Sequence, residues 1–156
     1  MRWERGSSRI RSGQQTAKLA AAILLETGQG FILPNARQRK ALVVAFAQCD
    51  YVLYGKAFDI IKVSGDVDLE STDDIRNHLD RVTIYEIKST SKEKVTADFR
   101  GYFFSLSTAE LLVAQTLGDR YRFAFVNTRT RTHVDLALRE VMARARGIYP
   151  TWSIQF

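Results

Sequence analysis

Two acids and a lysine stand where a folded chain rarely places charge. Asp59 opens the apolar segment "FDIIKV" (58–63), and Glu86 and Lys88 interrupt "VTIYEIKST" (82–90), among β-branched and aromatic neighbours. Ionised groups are costly in such surroundings. Alternate residues of a strand share a face, so Glu86 and Lys88 point the same way and Ile87 the other. Magnesium takes hard oxygen ligands, usually one or two carboxylates, with waters and substrate phosphate completing the octahedron. Phosphodiester hydrolysis needs a metal to polarise the phosphate and a nearby cation to steady the nucleophile or the developing charge. Asp59 lies 27 residues before Glu86. If their strands are neighbours, both carboxylates reach one ion, the backbone carbonyl of Ile87 adds a third oxygen, and Lys88 stands beside them. The competing reading is an exposed sheet face where Glu86 and Lys88 form surface pairs of little worth.

Other sites are harder to build from this chain. His78 and His133 are isolated from each other and from any cysteine pattern, which argues against zinc. Neither histidine has a serine or cysteine arrangement suggesting a nucleophilic triad. "DVDLE" (66–70) resembles the start of a calcium loop, but Ser71 stands where the turn glycine belongs. Neither GxGxxG nor GxxxxGK is present, so a glycine-rich phosphate loop is excluded. Cys49 is the single cysteine and allows no intramolecular disulfide.

The elements that must position these residues follow from pattern. "QQTAKLAAAILLETGQG" is rich in helix formers, carries Leu19, Ala20, Ile23 and Leu24 on one stripe, and stops at Gly28 and Gly30. The stretch 31–54 is ambiguous, because Pro34 could open a helix through Ala47 while Val43 and Val44 favour strand. Residues 58–63 and 82–89 read as strands, the first placing Asp59, Ile61 and Val63 on one face. Between them lies an acidic loop or short helix capped at Ser71 or Thr72. "STAE" (107–110) is a capping-box pattern opening a helix that Gly118 ends, and "RYRFAFVNT" follows as a strand. "VDLALREVMARARG" (134–147) reads as a last helix, and "YPTWSIQF" as an edge strand. The order predicts one domain over 1–156, an α/β or α+β fold with a central mixed sheet flanked by helices. The arginine-rich arm, residues 1–13, reads as partly mobile. Internal repeats, low-complexity tracts and convincing linkers are absent.

Asp59 followed by Glu86-Ile87-Lys88 resembles the signature of the PD-(D/E)XK nuclease superfamily, with its restriction-endonuclease-like fold. That family sets the first Asp near the start of one strand and Glu-x-Lys on the next, after an N-terminal helix; a helix and strand follow. The resemblance spans residues 15–127, and Phe58 stands where the family's proline often does. It implies a magnesium-dependent endonuclease, with manganese as a substitute. Asp59, Glu86 and the Ile87 carbonyl would hold the metal, Lys88 would orient or activate the attacking water, and Glu26 would be an extra carboxylate from the first helix.

Charge suits such a partner. The chain carries 23 Lys and Arg against 17 Asp and Glu, and six of the acids fall between Asp66 and Asp80. Outside that stretch 22 basic residues face 11 acidic ones, a balance of +11 that fits a polyanion. Ser89, Arg129, Arg131, Arg139 and Arg144 are candidate nucleic-acid contacts, with DNA the expected substrate. Trp3, Tyr102 and Trp152 are candidates for base stacking, against the usual role of aromatics in a core. Cleavage of both strands at a palindrome would favour a homodimer. The longest apolar run, Leu19 to Leu25, is too short for a membrane span, and no leader or Asn-x-Ser/Thr acceptor is evident, so an intracellular setting is expected. The alternatives are an inert nucleic-acid-binding module of the same fold and an assembly protein whose positive face meets an acidic partner.

Overall fold

A computed structural model describes residues 4–156. The first helix, α1 (Glu4–Glu26), buries Ala20, Ile23 and Leu24, a spacing that recurs on one side of a helix. Gly28, at φ +66°, lets the chain turn out of it. A two-residue strand, β1 (Phe31–Ile32), precedes α2 (Ala36–Ala47). The ambiguity over residues 31–54 thus resolves mostly to helix, and its start is set by Asn35 rather than by Pro34. The Asn35 side chain accepts from the Gln38 N–H at 2.9 Å, and Gln38 accepts from the Asn35 N–H at 3.0 Å.

Strand β2 (Ile60–Val63), the short helix α3 (Thr72–Asn77, capped by Ser71) and β3 (Val82–Thr90) come next. They are followed by α4 (Thr108–Leu117), β4 (Tyr121–Asn127), β5 (Thr132–Ala137) and α5 (Leu138–Arg144). Among the described residues the five strands form one mixed sheet in chain order. β1, β2 and β3 run as an antiparallel meander, β4 joins β3 in parallel, and β5 turns back antiparallel. A parallel neighbour needs a crossover, and α4 supplies it.

The sheet is covered on both faces. Ile60, Tyr85, Ala124 and Val126 pack with α1 on one side, with Ile87 against them. Ile61, Ile84, Tyr121, Phe123 and Phe125 pack on the other with α2, α3, α4 and α5, and this is the larger core. Even-numbered residues of β3 face that larger core, so Glu86 and Lys88 point into it. No helix among the described residues is long and apolar enough to cross a membrane.

Two expectations change. The segment 134–147 is not one helix: its first residues complete β5, because Val134 and Leu136 alternate against Phe125 and Phe123 of β4. The helix begins at Leu138, where Glu140 accepts from the Ala137 N–H at 2.7 Å. The segment "YPTWSIQF" adds no strand, and Tyr149, Trp152, Ile154 and Phe156 lie exposed. The basic arm enters helix at Glu4, so Arg5, Arg9 and Arg11 fall on α1, while Arg2 and Trp3 lie outside the described residues.

Candidate active site

The antiparallel register of β2 and β3 pairs Ile60 with Tyr85, so one step further Asp59 stands opposite Glu86. Residues paired across a ladder share a face. Asp59 lies just ahead of β2, and its N–H donates to the Tyr85 carbonyl at 2.9 Å. Beyond it β2 has no residues left to pair with β3. The next free amide on that edge, Ile87 N–H, donates instead to Asp59 Oδ2 at 2.9 Å, which fixes the carboxylate over the gap. N–H and C=O of one strand residue leave toward the same edge, so the Ile87 carbonyl opens toward Asp59 as well.

Glu86 sits behind Asp59 with 8% of its surface exposed. Its carboxyl is pushed up from 4.5 to about 8: burial is the main cause, negative Asp59 and Glu110 add to it, and Lys88 opposes them. Lys88 Nζ lies 3.2 Å from Glu86 Oε1 and 2.7 Å from Glu110 Oε2. Glu110 is the third residue of α4, and the same Oε2 accepts from the Ser107 N–H at 3.1 Å, closing the capping box. Two nearly dry acids therefore flank one ammonium, and the exposed Asp59 stands opposite Glu86 at the edge of the cluster. The negative charge outweighs what Lys88 offsets, and two carboxylates with a backbone carbonyl are the oxygen set that magnesium accepts. The donor set fits the metal that the signature implies.

Arg39, on α2, holds the approach to β2. Its guanidinium donates to the carbonyls of Gly55 at 2.9 Å, Phe58 at 2.7 Å and Asp59 at 3.2 Å. It also lies 4.2 Å from the centre of the Phe58 ring. Burial draws this guanidinium below its ordinary pKa, while Asp59 and Glu86 pull it back up. Beneath Glu86 the Tyr121 hydroxyl donates to the Ala57 carbonyl, and burial raises its pKa well above the usual phenol range, with Glu86, Glu110 and Asp59 adding to the effect. Tyr121 stays neutral and walls the floor.

No family model, curated protein or solved structure matches this chain.

Asp59, Glu86, the Ile87 backbone and Lys88 come together as their spacing implied. The other candidates do not join them. Glu26 ends α1, the helix packed on the opposite face, and its carboxylate pairs with Arg131. Ser89 follows Lys88, so its side chain faces away from the cluster, and its carbonyl accepts from the Tyr102 hydroxyl at 2.9 Å. Arg129, in the turn after β4, pairs with Glu93 at 3.5 Å. Arg139 pairs with Asp119 at 2.9 Å beyond the other end of β4, and strand length alone separates these two arginines by about 20 Å. Arg144 reaches the Asp98 carbonyl at 3.4 Å. The basic candidates are spread over the molecule rather than gathered in one groove.

Two members of the cluster escaped the sequence reading. Glu110 was visible only as the last letter of "STAE", where a helix cap accounts for it. Arg39 was one basic residue among several in "ARQRK", with partners 16 to 20 residues downstream.

Proposed function

We propose that this chain is a divalent-metal-dependent phosphodiesterase, a DNA endonuclease of the restriction-endonuclease-like fold. The observation that carries the reading is the convergence of Asp59, Glu86 and Lys88 where β2 ends beside β3, with Glu86 buried and oriented by that lysine. The order of elements supports it: a helix, an antiparallel meander bearing Asp and then Glu-x-Lys, a crossover helix and a parallel strand. In this reading Asp59, Glu86 and the Ile87 carbonyl hold magnesium. The ion supplies a Lewis acid that draws electron density from a phosphate ester. Asp59, the exposed member, would meet the phosphate side, while Glu86, buried behind it, would give up its proton to a bound cation and hold it from below. Lys88 presents a cation where negative charge grows on the phosphate, in surroundings that water screens poorly. Tyr121 and Phe123, fully buried, close the floor, and Glu86 and Glu110 hold the ammonium above it.

A second reading, an inert nucleic-acid-binding module of the same fold, is favoured by a different observation. Among the described residues no group of three or more His, Cys, Asp or Glu stands ready to hold a metal, and Lys88 occupies both Glu86 and Glu110. Incubation with plasmid and single-stranded DNA in magnesium, manganese or EDTA separates the two. The enzyme cleaves with either metal, stops in EDTA, and fails as Glu86→Ala or Lys88→Ala. Cleavage that survives in both alanine variants removes these residues from the chemistry. DNA binding without cleavage under every condition assigns the inert module.

A further inference from the structure

Glu110 carries two duties on one carboxylate oxygen. It accepts from the Ser107 N–H at 3.1 Å and from Lys88 Nζ at 2.7 Å. The first duty belongs to many helix N-termini, and a glutamine in the same position performs it equally well. The second is not needed by the helix at all. It fixes where the Lys88 ammonium rests, and the ammonium is closer to Glu110 than to Glu86, at 3.2 Å. All three side chains are nearly dry, with 13% exposure for Lys88 and 11% for each acid, so water cannot take over either contact.

An ammonium lying on Glu86 and a metal ion on Glu86 compete for one carboxylate. Asp59 does not relieve the competition, because it faces the gap and is tied to the Ile87 N–H. We propose that Glu110 is a positioning residue of the metal site: it takes the shorter of the two Lys88 contacts, 2.7 Å against 3.2 Å to Glu86, so that Glu86 can give up the longer one and join Asp59 around a divalent cation. The inference rests on the metal-dependent reading above. Without Glu110 the lysine has one carboxylate to turn to, and the protein's own cation blocks the site. Lys88 then stands in the wrong place for a phosphate as well, since its ammonium is tied to a metal ligand.

Manganese alone is a sufficient probe, titrated into the full chain and followed by the electron paramagnetic resonance of the free ion. Glu110→Gln keeps the capping box and the melting temperature near the parent values but weakens manganese about tenfold, the size of coupling expected between contacting charges. Ser107→Ala, which loses the cap and keeps the Lys88 contact, binds manganese as the parent does. In a Lys88→Met background, Glu110→Gln has little further effect, because the ammonium it positions is gone. Should Glu110→Gln fail to fold, Glu110→Asp takes its place: it keeps the charge, shortens the reach to Lys88 and weakens manganese in the same direction. Unchanged affinity in the variant that folds overturns the proposal, as does an equal loss with and without Lys88, which would leave Glu110 acting through its charge alone. A parent chain that binds no manganese overturns the metal-dependent reading and this inference together, whereas failure of the Glu110 series alone leaves that reading standing.

Discussion

Replacing Glu86 by glutamine should make the protein more stable, by an amount that grows with pH. The folded chain holds the Glu86 carboxyl at about 8 against 4.5 ordinarily, because burial and the neighbouring acids disfavour its ionised form. Below 4.5 the group is protonated in both states and contributes nothing. Between 4.5 and 8 the unfolded chain releases this proton while the folded chain keeps it, so the parent loses about 1.4 kcal/mol of stability per pH unit from this group. Above 8 both states are ionised and the penalty levels at about 5 kcal/mol. Glutamine has nearly the same shape and does not titrate. The difference in unfolding free energy, variant minus parent, should therefore rise from near zero at pH 4.5 to a plateau by pH 8.5. Urea denaturation at half-unit steps in EDTA measures it. Saturating magnesium should flatten the parent's slope and leave the variant's alone, since a divalent cation favours the ionised carboxylate. A difference that stays flat from pH 5 to 8.5 would mean that Glu86 is already ionised and compensated, and the argument for an excess of negative charge at this site would fail.

Arg39→Met should cost about 2–3 kcal/mol, since it leaves carbonyls of Gly55, Phe58 and Asp59 without their shared donor. Arg39→Lys should recover less than half of that, because one ammonium cannot span the fork, and equal thermal stability of the two variants would show the bonds to be dispensable. Gly30→Ala should destabilise by at least about 2 kcal/mol, given a left-handed backbone and a Val63 carbonyl in the way. Gly30 has φ +86°, and an added Cβ would come 2.4 Å from the Val63 carbonyl oxygen. An unaltered urea midpoint would mean that the β1 edge yields freely.

What the sequence disclosed depended on whether one local pattern could serve two purposes. Residues 82–90 are so rich in β-branched and aromatic residues that the strand is found to within a residue of its end, and the face shared by Glu86 and Lys88 follows. "STAE" also marks its helix correctly, but the same letters conceal a site residue, because a glutamate that caps a helix gives no reason to look for a second partner. The segment "VDLALREV" fits both periods at once: Val134 and Leu136 satisfy a strand, Leu138 and Val141 a helix. With Ala137 at the cap, no serine, threonine or asparagine marks the change. "WSIQF" alternates like a strand but joins neither edge of the described sheet, β1 or β5, because alternation alone supplies no partner. The acid pair shows the complementary limit. Spacing gave two carboxylates on two strands, but only the register, with β2 beginning at Ile60 opposite Tyr85, brings Asp59 across from Glu86. A slip of one residue would turn Asp59 to the α1 face and separate the acids by the thickness of the sheet. That register is braced from outside the strands, by Arg39 of the cluster on the carbonyls of Phe58 and Asp59 and, away from the cluster, by the close approach of Gly30 to Val63.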